Sequence, residues 1–115
     1  MSKLFPQGFP VKGEIYKANF SPSRGKELKE VHPCLILSNN VQNEYGHYVL
    51  VAPITSTVKK VRLFEVAINP TKSNGLTKLS KILLNQVRSI DKKRLFECLG
   101  KVDPKILLAV RQGIE

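Results

Sequence analysis

The chain has 115 residues, 42% of them hydrophobic, enough for one domain over 1–115 with an apolar core and no need of a disulfide scaffold. No apolar run approaches the ~18 residues of a membrane-spanning helix, and the N-terminus lacks an apolar signal core, so a soluble cytoplasmic protein with no membrane partner is expected. Nineteen Lys and Arg against nine Asp and Glu leave a net charge of +10, which favours phosphate-rich partners through Coulomb attraction and counterion release.

The first ten residues carry two Pro and one Gly and read as a loose lead-in. From Glu14 the sequence alternates, with Tyr16, Ala18 and Phe20 on one face and Ile15, Lys17 and Asn19 on the other, which predicts a strand with one face buried. Ser21-Pro22-Ser23-Arg24-Gly25 breaks it, and the polar stretch Lys26 to Glu30 has no apolar stripe, as an exposed loop would. Cys34 to Leu37 and Tyr48 to Ile54 are short apolar runs bounded by turn formers, each suited to a strand buried on both faces. Arg62 to Ile68 and Lys81 to Val87 are two further strand candidates. Ile90 to Phe96 has apolar residues at helical spacing, with Ser89 placed to cap it and Gly100 to end the region. Asp103-Pro104 opens a last helix, with Asp as cap and Pro at the first position, and Ile106, Leu107, Val110 and Ile114 form its apolar stripe. Strands first and short helices last describe an α+β domain around a curled antiparallel sheet.

Aromatics make up 7% of the chain and Trp is absent, which argues against a single-strand binder built on a stacking platform. Cys34 and Cys98 are far apart in sequence and fit no paired-cysteine motif, so both read as small apolar residues. His32 and His47 are the only histidines. They have no third or fourth donor nearby, and no metal site or cofactor motif is expected. RNA carries its own nucleophile, the 2′-hydroxyl. A nuclease acting on RNA can therefore work with a base, an acid and a cation to hold the scissile phosphate. Residues of the right type at strand ends or loops are Glu27, Glu30, His32, Thr55, Ser56 and Arg88. From spacing alone, each fits a surface or turn role better than a catalytic one.

Three segments carry a more specific signal. Gly13-Glu14-Ile15-Tyr16 with Ser21-Pro22, Gly25-Lys26-Glu27 and His32-Pro33-Cys34-Leu35-Ile36-Leu37-Ser38-Asn39 resembles the N-terminal signature of MazF/PemK-type toxins. Val51-Ala52-Pro53-Ile54-Thr55-Ser56 is similar to that family's second hallmark, and Leu83 to Leu95 to its third. All three lie in order and at matching spacing from Gly13 onward. The resemblance implies a small SH3-like antiparallel β-barrel with short C-terminal helices, working as a homodimer. It implies a sequence-specific, metal-independent endoribonuclease that cleaves single-stranded RNA by 2′-hydroxyl attack to leave a 2′,3′-cyclic phosphate. The implied partners are that RNA and a small acidic antitoxin.

Residue by residue, the resemblance assigns Thr55 to the scissile phosphate, with Ser56 as a weaker neighbour, and Glu27 to base or positioning work. The family's arginine before the proline of the second strand is His32 here. An imidazole suits proton transfer, whereas a guanidinium is a fixed cation. Where the family often carries an acidic residue, this chain has Asn85, which cannot take a proton. The expected catalytic set is therefore His32, Thr55 and Glu27. Arg24, Ser56, Lys59, Lys60, Arg62 and Arg88 are the expected RNA contacts. The two departures keep open a weakened or inactive RNA- or antitoxin-binding module on the same fold. The fold family itself leaves open a gyrase poison, although the loop signature from Glu27 to Pro33 favours the ribonuclease branch.

Overall fold

A computed structural model describes residues 4–20, 30–56 and 60–114. Seven strands form one antiparallel sheet: β1 (Glu14–Asn19), β2 (Val31–Ile36), β3 (Tyr48–Thr55), β4 (Glu65–Ile68), β5 (Ser80–Leu83), β6 (Arg88–Asp91) and β7 (Leu95–Lys101). A six-residue helix α1 (Asn40–Tyr45) sits between β2 and β3, and α2 (Pro104–Ile114) closes the chain. Strand order is β4-β5-β3-β2-β1-β7, and β6 pairs with β3 as well. No helix among the described residues is long and apolar enough to cross a membrane.

The sheet is buried on both faces, which corrects the expectation that β1 buries only one. Ile15 joins Leu35, Ala52, Ile54, Ile82 and Val110 in one cluster under α2. Tyr16, Ala18, Cys34, Ile36, Val51, Ile90 and Leu95 form a second cluster on the opposite face. Tyr16 is fully buried, and its hydroxyl donates to Glu14 Oε1 at 2.9 Å. Burial, and then the neighbouring Glu14 carboxylate, push the Tyr16 phenol up.

Residues 90–96 are not a helix. Ile90 pairs with Val49 in the β3–β6 ladder and Leu95 with Ala18 in the β1–β7 ladder, separated by a 3-10 turn over Lys92–Arg94 that Asp91 caps. Local helical spacing loses to tertiary pairing, because each apolar side chain already has a strand-borne core to enter. Gly100 belongs to β7 rather than ending a helix. It pairs with Ile15 at φ 158°, and a Cβ there would lie 2.1 Å from the Ser73 carbonyl oxygen.

The α1 helix is a turn that sequence periodicity did not reveal, having no apolar stripe. Asn39 caps its start by accepting from the Gln42 N–H at 2.9 Å, and Lys92 Nζ donates to the Asn43 carbonyl at 2.8 Å near its end. In α2, Val110 is buried while Ile106 and Leu107 are half-buried against the first cluster. Val41, Tyr45, Tyr48, Leu50 and Leu108 are left exposed.

Candidate active site

β3 changes partners along its length. Residues 48–51 pair with β6, residues 51–53 with β2, and Ile54 and Thr55 with β5. Pro53 sits where these ladders part. Lacking an N–H, it makes no demand for a further ladder bond, so neighbouring strands can diverge there without orphaning a donor. The divergence opens a cavity of about 230 Å³ lined by Phe20, Glu30, His32, Pro53, Ile54, Thr55, Leu83, Gln86 and Arg88.

Register explains which side chains reach it. Cys34 pairs with Pro53, so His32 and Thr55, each two residues further on, lie on the same face at the open end of that ladder. Arg88 pairs with Val51 and shares the face of Val51, Pro53 and Thr55. Ala18 pairs with His32, and the Phe20 N–H then donates to the Glu30 carbonyl at 2.9 Å, carrying Phe20 to the same rim. Its ring centroid is 6.1 Å from that of His32, and the Arg88 guanidinium carbon stands 5.1 Å from its centroid. An aromatic face at that range attracts a cation and so restricts where the guanidinium rests.

The structure thus brings together His32, Thr55 and Arg88, along with Glu30. Ser56 is exposed just past the end of β3 and does not line the cavity. Lys60 and Arg62 are exposed on the segment before β4, also off its wall. Arg24, Glu27 and Lys59 lie outside the described residues. Asn85 is exposed in the 3-10 turn over Leu84–Gln86, and its neighbour Gln86 is the one that meets the cavity. Phe20 and Gln86 escaped sequence reasoning, although Phe20 was legible as the continuation of the Tyr16–Ala18 face. Among the described residues, no group of three or more His, Cys, Asp and Glu converges as a metal site would require.

The cavity therefore offers an imidazole, a hydroxyl, a stacked guanidinium and a carboxylate at the rim of a small antiparallel sheet. Those are groups able to exchange protons and to bind an anionic substrate. Residues 11–115 match the family described as PemK-like, MazF-like toxins of type II toxin–antitoxin systems. The chain is 35% identical over 104 residues to the endoribonuclease MazF of Staphylococcus epidermidis, covering 90% of this chain and 87% of that protein. In structure it is similar to MazF of Deinococcus radiodurans, with a TM-score of 0.75, 28% identity and coverage of 92% of this chain and 93% of that one. It is also similar to a chain in the MazE–MazF structure from the same organism, with a TM-score of 0.72, 25% identity and coverage of 92% and 91%. The chain belongs to the MazF/PemK family and is an endoribonuclease toxin of a toxin–antitoxin system.

Proposed function

We propose that the cavity is the cleavage centre of a sequence-specific, metal-independent ribonuclease acting on single-stranded RNA. The observation that carries the reading is the convergence of His32, Thr55 and Arg88 on one cavity from three different strands. In the reaction, the 2′-oxygen bonds to phosphorus as the P–O5′ bond breaks. The proton of the 2′-hydroxyl passes to a base, and one is delivered to the departing 5′-oxygen, leaving a 2′,3′-cyclic phosphate and a 5′-hydroxyl.

His32 takes the acid–base exchange, since an imidazole both accepts and donates a proton within one cycle. Glu27, assigned by the family resemblance, serves as its partner in base or positioning work. Thr55 donates its hydroxyl to a non-bridging phosphate oxygen, and Arg88 supplies positive charge where negative charge builds. The other expected contacts, Arg24, Ser56, Lys59, Lys60 and Arg62, hold flanking phosphates and set register without reading sequence.

The finer architecture follows the same reading. The curled sheet is an SH3-like barrel, and two copies form a homodimer with an RNA groove between them. The exposed apolar side chains Tyr48, Leu50 and Leu108 support self-association. Leu50 and Leu108 also line a hollow of about 460 Å³, with Lys12 and Arg111 at its rim. A small acidic antitoxin is the protein partner, consistent with a net charge of +10.

The test uses purified protein, long single-stranded RNA and excess EDTA, with His32→Ala and His32→Arg in parallel. Fragments from wild type that disappear with His32→Ala establish the assignment. Intact RNA from wild type and from His32→Arg transfers the argument to a binding module, or to a gyrase poison if cleavage complexes on DNA accumulate instead.

A further inference from the structure

On one face of the sheet beside the cavity lies a charge pair that the cleavage chemistry does not use. Lys81, in the middle of β5, pairs with Thr55 on one side and Ala67 on the other, so its side chain leaves the sheet on the Thr55 face. Leu83, two residues along on that face, lines the cavity and pairs with Glu65. Lys81 Nζ is 3.0 Å from Glu65 Oε1 and donates at 3.0 Å to the Lys60 carbonyl. The same Glu65 oxygen accepts the Arg62 N–H at 2.9 Å, and the Glu65 N–H donates back to the Arg62 carbonyl at 3.0 Å. The Leu84 N–H closes the far end by donating to the Phe64 carbonyl at 3.1 Å.

The pair is well shielded, with side-chain exposures of 12% for Lys81 and 7% for Glu65. Taking two charges out of water costs about as much as their attraction returns, so a hydrophobic pair of similar volume would serve stability as well or better. What this pair provides and an apolar one would not is a set of directed bonds to the backbone of 60–65. Those bonds fix the chain from which the exposed Lys60 and Arg62 project; it leads into β4, on the far side of β5 from the strand that carries Thr55.

We propose that Lys81 and Glu65 are positioning residues for RNA: the pair clips the basic segment Lys60–Phe64 to the strand next to Thr55, so that its cations meet phosphates flanking the scissile one. The proposal rests on the cavity being the cleavage centre, and the test separates the two claims by measuring binding as well as cutting. Steady-state cleavage of a single-stranded RNA is measured for wild type, Lys81→Met, Glu65→Gln and the exchanged double variant Lys81→Glu/Glu65→Lys. Binding of a 2′-O-methyl strand, which has no free 2′-hydroxyl, and the thermal midpoint are measured on the same proteins.

The expected result is a KM and a strand Kd raised about tenfold in both single variants, with kcat within about twofold, because uniform binding is lost rather than transition-state binding. The thermal midpoint of Lys81→Met stays at or above wild type, and the exchanged pair recovers most of the affinity. Unchanged KM and Kd in the single variants, or a fall in kcat alone, would overturn the clip. If Lys81→Met fails to fold, Glu65→Gln carries the same comparison. Wild type that binds the strand but cuts no RNA overturns the cleavage assignment, while the Kd shift still decides the clip. Wild type that neither binds nor cuts overturns both.

Discussion

His32 and Thr55 lie on the same side of the β2–β3 ladder, each two residues beyond its last pair, Cys34 with Pro53, and both line one cavity. The ladder's closed part is core, where Cys34 and Val51 are fully buried. Its open end is where β3 leaves β2 for β5. The same alternation that sends Cys34 inward therefore delivers an imidazole and a hydroxyl to one hollow, and the rigid sheet holds them there.

Thr55→Val keeps the shape of the side chain and removes its hydroxyl. The expected effect is a fall in kcat of about 10²–10³, the range seen when one preorganised donor is lost. Circular dichroism and the thermal midpoint should stay near wild type. Single-turnover cleavage is the readout, and unchanged turnover would remove Thr55 from the phosphate.

Arg88 and Phe20 should behave as a unit. Arg88→Ala should lower kcat, as for a cation that meets the charge built in the transition state, and should also weaken RNA binding and lower the slope of log Kd against log salt by about one. Phe20→Leu should reproduce part of the loss without changing net charge, because it removes the face that holds the guanidinium. Lys105→Ala, an equal charge change on exposed α2, should leave kcat at wild type.

Cys34 is buried in the second core cluster, and burial pushes its thiol up to about 12. Alkylation by iodoacetamide needs the thiolate, so Cys34 should stay unmodified at pH 8 in the folded protein and react fully in denaturant. Burial, and then the nearby Glu14 carboxylate, also push the half-buried Cys98 thiol up, so it too should react slowly at that pH. Mass spectrometry of peptides after timed labelling gives both rates.

The Glu65 carboxyl is held below the usual carboxylate range, first by the Arg62 backbone N–H and then by the Lys81 ammonium, against the opposing effect of burial. A folded-state value below the unfolded one means the unfolded chain binds the proton more tightly. The stabilisation is therefore complete above the ordinary carboxylate range and is lost as pH falls through the folded value. Denaturation midpoints between pH 7 and pH 3 should show a shallower acid loss for Glu65→Gln than for wild type.

Gly75 adopts φ 70°, and a Cβ there would lie 2.1 Å from the Leu99 carbonyl oxygen. Gly75→Ala should therefore lower stability by more than ~1 kcal/mol in urea unfolding, although the residue touches neither cavity nor clip.

Much of this was legible in the residues. Alternation and short apolar runs located β1, β2 and β3, and Asp103-Pro104 marked the start of α2. Ile90 to Leu95 misled because period 3.6 is a local signal, whereas the partners that make these residues strands, Val49 and Ala18, lie far away in sequence. His32, Thr55 and Arg88 could be named from residue type and resemblance, but their convergence depends on register between strands. Phe20 and Gln86 carry no chemical signal of their own, so only the structure places them. The Lys81–Glu65 pair was invisible because its partners are 16 residues apart across a turn-rich segment.

The most direct test of the central claim compares two matched strands after the cleavage position has been mapped, one all-RNA and one carrying a single 2′-deoxy nucleotide 5′ to the scissile phosphate. With EDTA present, wild type should cut the all-RNA strand to a 2′,3′-cyclic phosphate and a 5′-hydroxyl and leave the substituted position intact. Cleavage of the deoxy position, or ends bearing a 5′-phosphate, would contradict 2′-hydroxyl attack at the His32–Thr55 cavity.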